Sequence, residues 1–240
     1  MSRKLQGLEL FIFLEPEAAF GYIQGMNKDT NRKVHALVLC VYQNEGEMFL
    51  ESICPDCGGG PCSLKVDNNN IRLDLLAGDP ALNASWQSRI QEADALILMV
   101  RFMDVTSIDK LNAIHRSIPS EGSPPLFVFL FREQDQAEFK RSCPTCGQKL
   151  WVRDMDVGRE GRCPNCKASF ALLSQEDLIK KEITLPDAVP VIRVYQGDEG
   201  SVKSAFAWIL PGVTSRIAEQ AAFDEEVLKK STIRVQIDDL

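Results

Sequence analysis

Positive charge is in short supply in this 240-residue chain. Its 27 Lys and Arg stand against 34 Asp and Glu, for a formal charge of -7. That balance excludes a general nucleic-acid binder, which needs a cationic face for the phosphate backbone. Long apolar runs are missing too: stretches such as LFVFLF (126–131) fall far short of the roughly 20 residues that a membrane-spanning helix needs. A secretory leader is not expected either. Arg3 and Lys4 precede an apolar stretch, but Glu9, Glu15 and Glu17 interrupt it, and a leader needs that stretch unbroken. The expected location is cytoplasmic. Histidine is scarce, with only His35 and His115, both expected to be ordinary strand or helix residues rather than ligands. No Ser, His and Asp set and no paired catalytic carboxylates can be picked out, so the sequence nominates no catalytic residue. The 45% hydrophobic content excludes disorder as the main state, and the length permits one domain of about 200 residues plus a small appendage.

Cysteine, by contrast, is patterned. Six of the eight cysteines form three Cys-x-x-Cys pairs, Cys54 with Cys57, Cys143 with Cys146 and Cys163 with Cys166. This spacing suits metal thiolates better than a secreted disulfide framework. Sixteen residues separate Cys146 from Cys163. Two facing turns of this kind supply the four thiolates of a tetrahedral zinc site. Gly147 stands where the first turn needs a residue without a Cβ, and Lys149, Trp151 and Val152 are expected in a short hairpin strand between the knuckles.

The segment 141–171 resembles the small bacterial zinc ribbons of CPxCG…RCPxCxxxF type, on its two knuckles, Arg162 and Phe170. The resemblance implies zinc held by Cys143, Cys146, Cys163 and Cys166. Four matched thiolates leave no open coordination position, so the metal is expected to be structural rather than catalytic. With almost no aliphatic core of its own, the segment is expected to fold because zinc contributes on the order of 10 kcal/mol. Its side chains sum to +3, which four thiolates and one zinc ion lower to about +1. With Trp151 as the only well-placed stacking candidate, the ribbon is expected to meet protein rather than nucleic acid.

A second cluster, Cys54-Pro-Asp-Cys57-Gly-Gly-Gly-Pro-Cys62, is one thiol short of a closed site. Cys40, at the end of the first predicted strand, is the candidate fourth ligand. The alternatives are free thiols with Cys40 as a small buried hydrophobe, or an unoccupied remnant. A redox role is less favoured, because the flanking sequence lacks a thioredoxin-like strand-to-helix context.

Elsewhere strands and helices alternate. VHALVLCV (34–41), ALILMVRF (95–102), LFVFLF (126–131) and VPVIRV (189–194) read as buried strands. Segments 63–67 and 71–76 alternate with period two around Asn68, Asn69 and Asn70 and read as an antiparallel hairpin. Phe49, Leu50 and Ile53, then Leu82, Trp86 and Ile90, then Val105, Ile108, Leu111 and Ile114, a helix near 175–181, and Val202, Phe206 and Ile209 mark intervening helices. The expected fold is α/β, a mostly parallel doubly wound sheet with an inserted small ribbon subdomain. It divides into an N-terminal extension over 1–33, an α/β domain over 34–140 and 172–212, the ribbon over 141–171, and a C-terminal helix (about 214–230) and tail over 213–240. Met26 offers a plausible start just before the first well-patterned strand, so part of the extension is expected to be dispensable.

The order strand, helix, antiparallel hairpin, then alternating strand and helix resembles that of Ras-like small GTPases over 34–210. Local texture agrees: IRLDLLAGDPALNASW (71–86) resembles the third strand and switch region, EADALILMV (92–100) the fourth strand, FVFLFREQD (127–135) the guanine-specificity strand, and VPVIRVYQGDEGSV (189–202) the sixth strand and base-contacting turn. The reactive positions do not agree. VYQNEGEM (41–48) occupies the phosphate-loop place with Gly46 kept, but Val41 stands for the first glycine, Glu47 for the lysine and Met48 for the magnesium-binding hydroxyl. Gly78 remains at the DxxG position while Leu75 replaces the metal-associated aspartate. Of the NKxD set, Arg132-Glu133-Gln134-Asp135 retains only the aspartate. Replacing a phosphate-gripping lysine by glutamate changes the local charge by two units, and hydrolysis by the usual mechanism is not expected.

The reading that follows is a non-catalytic GTPase-like zinc-ribbon protein, a protein-interaction or regulatory module whose partner is a small GTPase or its regulator. Two alternatives stand beside it: a zinc-ribbon nucleic-acid-binding regulator, and a nucleotide-binding GTPase-like protein with divergent motifs. An ordinary doubly wound domain with a coincidental likeness would carry none of these functions.

Overall fold

The computed structural model describes residues 33–57, 60–82, 84–101 and 105–238. The N-terminal extension expected over 1–33, including the start at Met26, lies outside these residues apart from residue 33. Six strands form the main sheet: β1 (Lys33–Cys40), β2 (Cys62–Val66), β3 (Asn69–Ala77), β4 (Ala95–Val100), β5 (Leu126–Arg132) and β10 (Val191–Tyr195). Their order across the sheet is β10-β5-β4-β1-β3-β2, and β2 alone runs antiparallel, against β3. The connectivity is the strand, helix, hairpin, then alternating strand and helix expected above. The fold is a mostly parallel α/β sheet.

The central strands β1, β4 and β5 bury both faces because helices cover both. Successive side chains of a strand point to opposite sides, so Val34, Ala36, Val38 and Cys40 of β1 join one core while Leu37 and Leu39 join the other. Helix α1 (Gln43–Ile53) covers the first face with Phe49, Leu50 and Ile53, as the sequence pattern predicts, together with Val202, Phe206 and Ile209 of helix α5 (Glu199–Asp238). There Phe49 meets Phe131 edge-on at 5.6 Å and Phe129 meets Phe206 at 5.4 Å, geometries that add to burial alone. On the opposite face lie α2 (Trp86–Glu92), α3 (Val105–Ser117) and α4 (Gln175–Glu182), through Trp86, Ile90, Leu111, Ile114 and Ile179.

The antiparallel β2–β3 hairpin forms as expected, with Asp67 as its left-handed residue (φ 52°). Two local expectations are corrected. Leu82 falls in a 3-10 turn (Pro80–Leu82) ahead of α2 rather than in the helix. The C-terminal helix does not restart near Thr214: α5 runs unbroken through Pro211 to Asp238. An interior proline costs a helix about 3 kcal/mol. Buried Val202, Phe206, Ile209, Leu210 and Val213 lie on both sides of Pro211 and offset it, each contributing roughly 1.5–3 kcal/mol.

Candidate metal centre and the start of helix α1

The ribbon consists of two hairpins, β6 (Glu138–Ser142) with β7 (Lys149–Arg153) and β8 (Glu160–Arg162) with β9 (Ser169–Ala171). Each ends in a knuckle, and the two knuckles share one hydrogen-bond plan. Cys143 N–H donates to the Gln148 carbonyl (2.8 Å) as Cys163 N–H does to Ala168 (2.9 Å). Gly147 N–H returns to the Cys143 carbonyl (2.9 Å) as Lys167 N–H does to Cys163 (3.0 Å). Both closures need a left-handed residue, Gly147 at φ 72° and Lys167 at φ 63°. Glycine takes that conformation without strain, whereas Lys167 takes it because the knuckle closes around it.

All four sulfurs lie within 4.8 Å of one another. Cys143 Sγ is 3.7 Å from Cys166 Sγ, and Cys146 Sγ is 3.7 Å from Cys163 Sγ. Four sulfurs bound at about 2.3 Å around a tetrahedral ion would stand about 3.8 Å apart, so the donor set fits such an ion as it stands. Cys143 and Cys163 are buried, while Cys146 and Cys166 face outward. The Gln148 amide holds the Cys146 thiol down at about 6. Burial raises the Cys143 thiol, but the Cys146 and Thr145 amides bring it below its ordinary value. The Ala168 amide lowers Cys166, yet burial and the three neighbouring sulfurs push it up to about 11. Four thiols crowded together resist shedding all their protons, and a bound cation removes that resistance.

Residues 141–171 contribute only Val152 and Val157 to a small apolar cluster that flanking residues complete. Phe139, Val152 and Leu178 are buried together, with Val157, Leu172 and Leu173 packed against them; Leu178 comes from α4. Lys149, Trp151 and Val152 do form a hairpin strand as expected, and its partner is β6, ahead of the first knuckle. Arg141 joins the two hairpins, donating to the Ala171 carbonyl at 2.9 Å with its guanidinium 4.8 Å from the Phe170 ring centre.

Arg132 fastens the ribbon to the sheet. At the end of β5 its side chain is 1% exposed, and it pairs with Asp154 at 3.0 Å and donates to the Gln136 carbonyl. Asp154 N–H in turn donates to the Ala137 carbonyl at 2.9 Å. The sequence pattern treats Arg132 only as a failed asparagine of the guanine-specificity motif, and nothing in that pattern links it to a residue 22 positions later. Asp135, the one retained position, is exposed. It lines an open cavity of about 490 Å³ with Arg101, Glu133, Glu138 and Trp151.

At the other reactive positions, β1 ends at Cys40 and α1 begins at Gln43, leaving two residues where a phosphate-binding loop would run. Glu45 and Gly46 N–H both donate to the Tyr42 carbonyl, at 3.1 and 3.3 Å. Gly46 is buried in the helix, and a Cβ there would collide with Leu75 and lie 2.8 Å from Cys40 Sγ. Leu75 thus fills the space beneath Gly46. Glu47 accepts from Gln43 Nε2 (2.9 Å), and Met48 Sδ lies 3.1 Å from Arg101, which also pairs with Glu133 (3.2 Å). Phosphate recognition needs amides turned toward the anion with a lysine beside them; these residues do not fit a nucleoside triphosphate.

The second cysteine set is partly as expected. Cys54, Cys57 and Cys62 converge, their sulfurs within 4.8 Å of one another, but Cys40 does not join them. Cys40 Sγ donates to the Tyr42 carbonyl at 3.2 Å beneath the N-terminus of α1, and Cys54 follows the helix's far end. Eleven helical residues span about 16 Å. The registers agree: Cys40 is opposite Ala77 of β3 and Cys62 is opposite Leu73. Burial pushes the Cys40 thiol up to about 12, and burial with the neighbouring Cys54 and Cys57 does the same to Cys62. These are two cysteine clusters that can hold a metal ion, with Cys40 a ligand of neither.

Among the described residues, no helix is long and apolar enough to cross a membrane. No family model matches the chain, and no curated protein matches it. Among solved structures, the chain is similar to the crystal structure of a variant of SsGBP, at 17% identity and a TM-score of 0.41. The match covers 79% of this chain and 57% of that one, so this chain spans little more than half of its neighbour's length.

Proposed function

We propose that the chain is a non-catalytic GTPase-like scaffold that holds zinc in its ribbon and works as a protein-interaction or regulatory module. The observation that carries this reading is the start of α1. Only two residues separate β1 from α1 where the phosphate loop would run, and the Glu45 and Gly46 amides are both turned to the Tyr42 carbonyl. A scaffold that keeps its sheet but has no open loop, with Glu47 in the place of the gripping lysine, has no grip on a triphosphate. Zinc is the ion assigned to Cys143, Cys146, Cys163 and Cys166, because four thiolates at tetrahedral spacing suit it and leave no catalytic position.

The partner proposed is a protein, a small GTPase or one of its regulators. The ribbon's charges favour protein over nucleic acid. Arg153 and Arg159 both pair with Asp156, at 2.7 and 3.2 Å, and Arg162 is turned back to the Lys167 carbonyl at 3.0 Å. Only Lys140 stands beside the exposed Trp151, 4.6 Å from its ring centre. One cation and one aromatic do not make a phosphate-tracking face. Calorimetry with GTP and ATP in the presence of Mg²⁺ tests the reading: no saturable heat is expected, and micromolar affinity for either nucleotide would overturn it.

A further inference from the structure

We propose that Cys54, Cys57 and Cys62 form a second zinc site, independent of the ribbon and of its proposed role, in which three thiolates hold the ion and an exogenous donor takes the fourth position. The three residues come from structurally separate places. Cys54 closes the end of α1, its N–H donating to the Leu50 carbonyl at 2.9 Å. Cys57 ends a 3-10 turn (Pro55–Cys57), with its own N–H donating back to the Cys54 carbonyl at 3.1 Å. Cys62 opens the edge strand β2, opposite Leu73. Convergence of three thiols from a helix end, a turn and a strand, to the same mutual limit as the ribbon's four, is the arrangement a thiophilic ion requires.

Burial gives the site a closed side and an open side. Cys62 is 1% exposed and belongs to the first core, whereas Cys54 and Cys57 are half-buried and rest against that core from outside. An ion bound here would be shielded from below and reachable from above. Among the described residues no histidine, carboxylate or fourth cysteine joins the cluster, and Cys40 lies a helix length away. Three protein ligands with the fourth position open is the coordination found at exchangeable or reactive zinc, unlike the closed four-thiolate set.

A zinc ion clipping Cys54 and Cys57 to Cys62 would tie the edge strand β2 to the end of α1.

The test uses the full chain loaded with excess zinc and then freed of unbound metal, in three forms: wild type, Cys54→Ser with Cys57→Ser, and Cys146→Ser with Cys166→Ser. All four replaced thiols are exposed or half-buried, so serine is tolerated in the fold. Wild type is expected to retain about two zinc ions and each double variant about one. X-ray absorption on the Cys146/Cys166 variant is expected to report three sulfurs and one oxygen or nitrogen per zinc, and on wild type an average of about 3.5 sulfurs. One zinc in wild type with four sulfurs around it, unchanged by the Cys54 and Cys57 substitutions, would overturn the second site and leave the ribbon intact. Two zinc ions that are both four-sulfur would overturn the open position. Zinc lost only from the Cys146/Cys166 variant would support the ribbon alone.

Discussion

Removing the carboxylate of Asp154 tests whether the ribbon is fastened to the sheet by Arg132. The guanidinium is 1% exposed and the carboxylate 32% exposed, at 3.0 Å. At an effective dielectric near 20, a close pair is worth about 4 kcal/mol before desolvation, and breaking a fully buried pair costs about 3–5 kcal/mol. Water reaches Asp154 in part, and Arg132 keeps its bond to the Gln136 carbonyl. Moreover, Arg132 Nε and Asp154 Oδ1 find no partner. These discounts bring the expected cost of Asp154→Ala to about 2 kcal/mol. Arg132→Met should cost less, about 1 kcal/mol, because it removes the deeply buried charge and leaves the one that water can reach. Asp156→Ala is the control, since its partners Arg153 and Arg159 are 57% and 67% exposed, and it should stay within about 1 kcal/mol of wild type. Hydrogen exchange over 137–157 reads the effect directly, because the Asp154 amide donates to the Ala137 carbonyl. A loss of 2 kcal/mol appears as exchange about 30-fold faster. If Asp154→Ala exchanges no faster than Asp156→Ala, or if Arg132→Met is the more damaging change, the clamp is not what joins the two parts.

Gly46→Ala should destabilise the chain by about 1–3 kcal/mol through overpacking, since its Cβ meets Leu75 and Cys40; pairing it with Leu75→Ala should recover part of the loss in a thermal melt, and an unchanged melting temperature for Gly46→Ala would refute the close packing of α1 on Leu75. Chelating the metal proposed for the ribbon should loosen residues 141–171 while leaving the sheet's circular dichroism in place, because the ribbon's small apolar cluster draws Phe139 and Leu178 from outside that segment. Loss of the whole fold on chelation would contradict that division. In the metal-free ribbon, Cys146 is held at about 6 and Cys166 at about 11. At pH 7 limited alkylation read by mass spectrometry should therefore label Cys146 well before Cys166. The sign for stability follows: a depressed thiol contributes above its unfolded value of about 8.5 and loses that contribution as pH falls through about 6. Equal labelling of the two would refute the assignment.

Periodicity and spacing carried much of this protein in the linear sequence. Alternating apolar runs announce a doubly wound sheet because a strand covered on both faces must be apolar throughout, and β4 and β5 are so. The ribbon thiols were legible because a knuckle is a local object: two residues between cysteines and a left-handed residue after them are set by one turn. The exclusion of Cys40 was not legible, since it depends on α1 carrying Cys54 away from the end of β1, a distance set by helix length and sheet register. Nor was the role of Arg132, whose partner is 22 residues distant and becomes a neighbour only when the ribbon folds back on β5. The path of α5 through Pro211 belongs with these, because local propensity opposes it and only the apolar face shared with the sheet sustains it. Short-range chemistry, then, was determined by residue order alone, whereas every contact that depends on which surfaces meet was decided by packing in three dimensions.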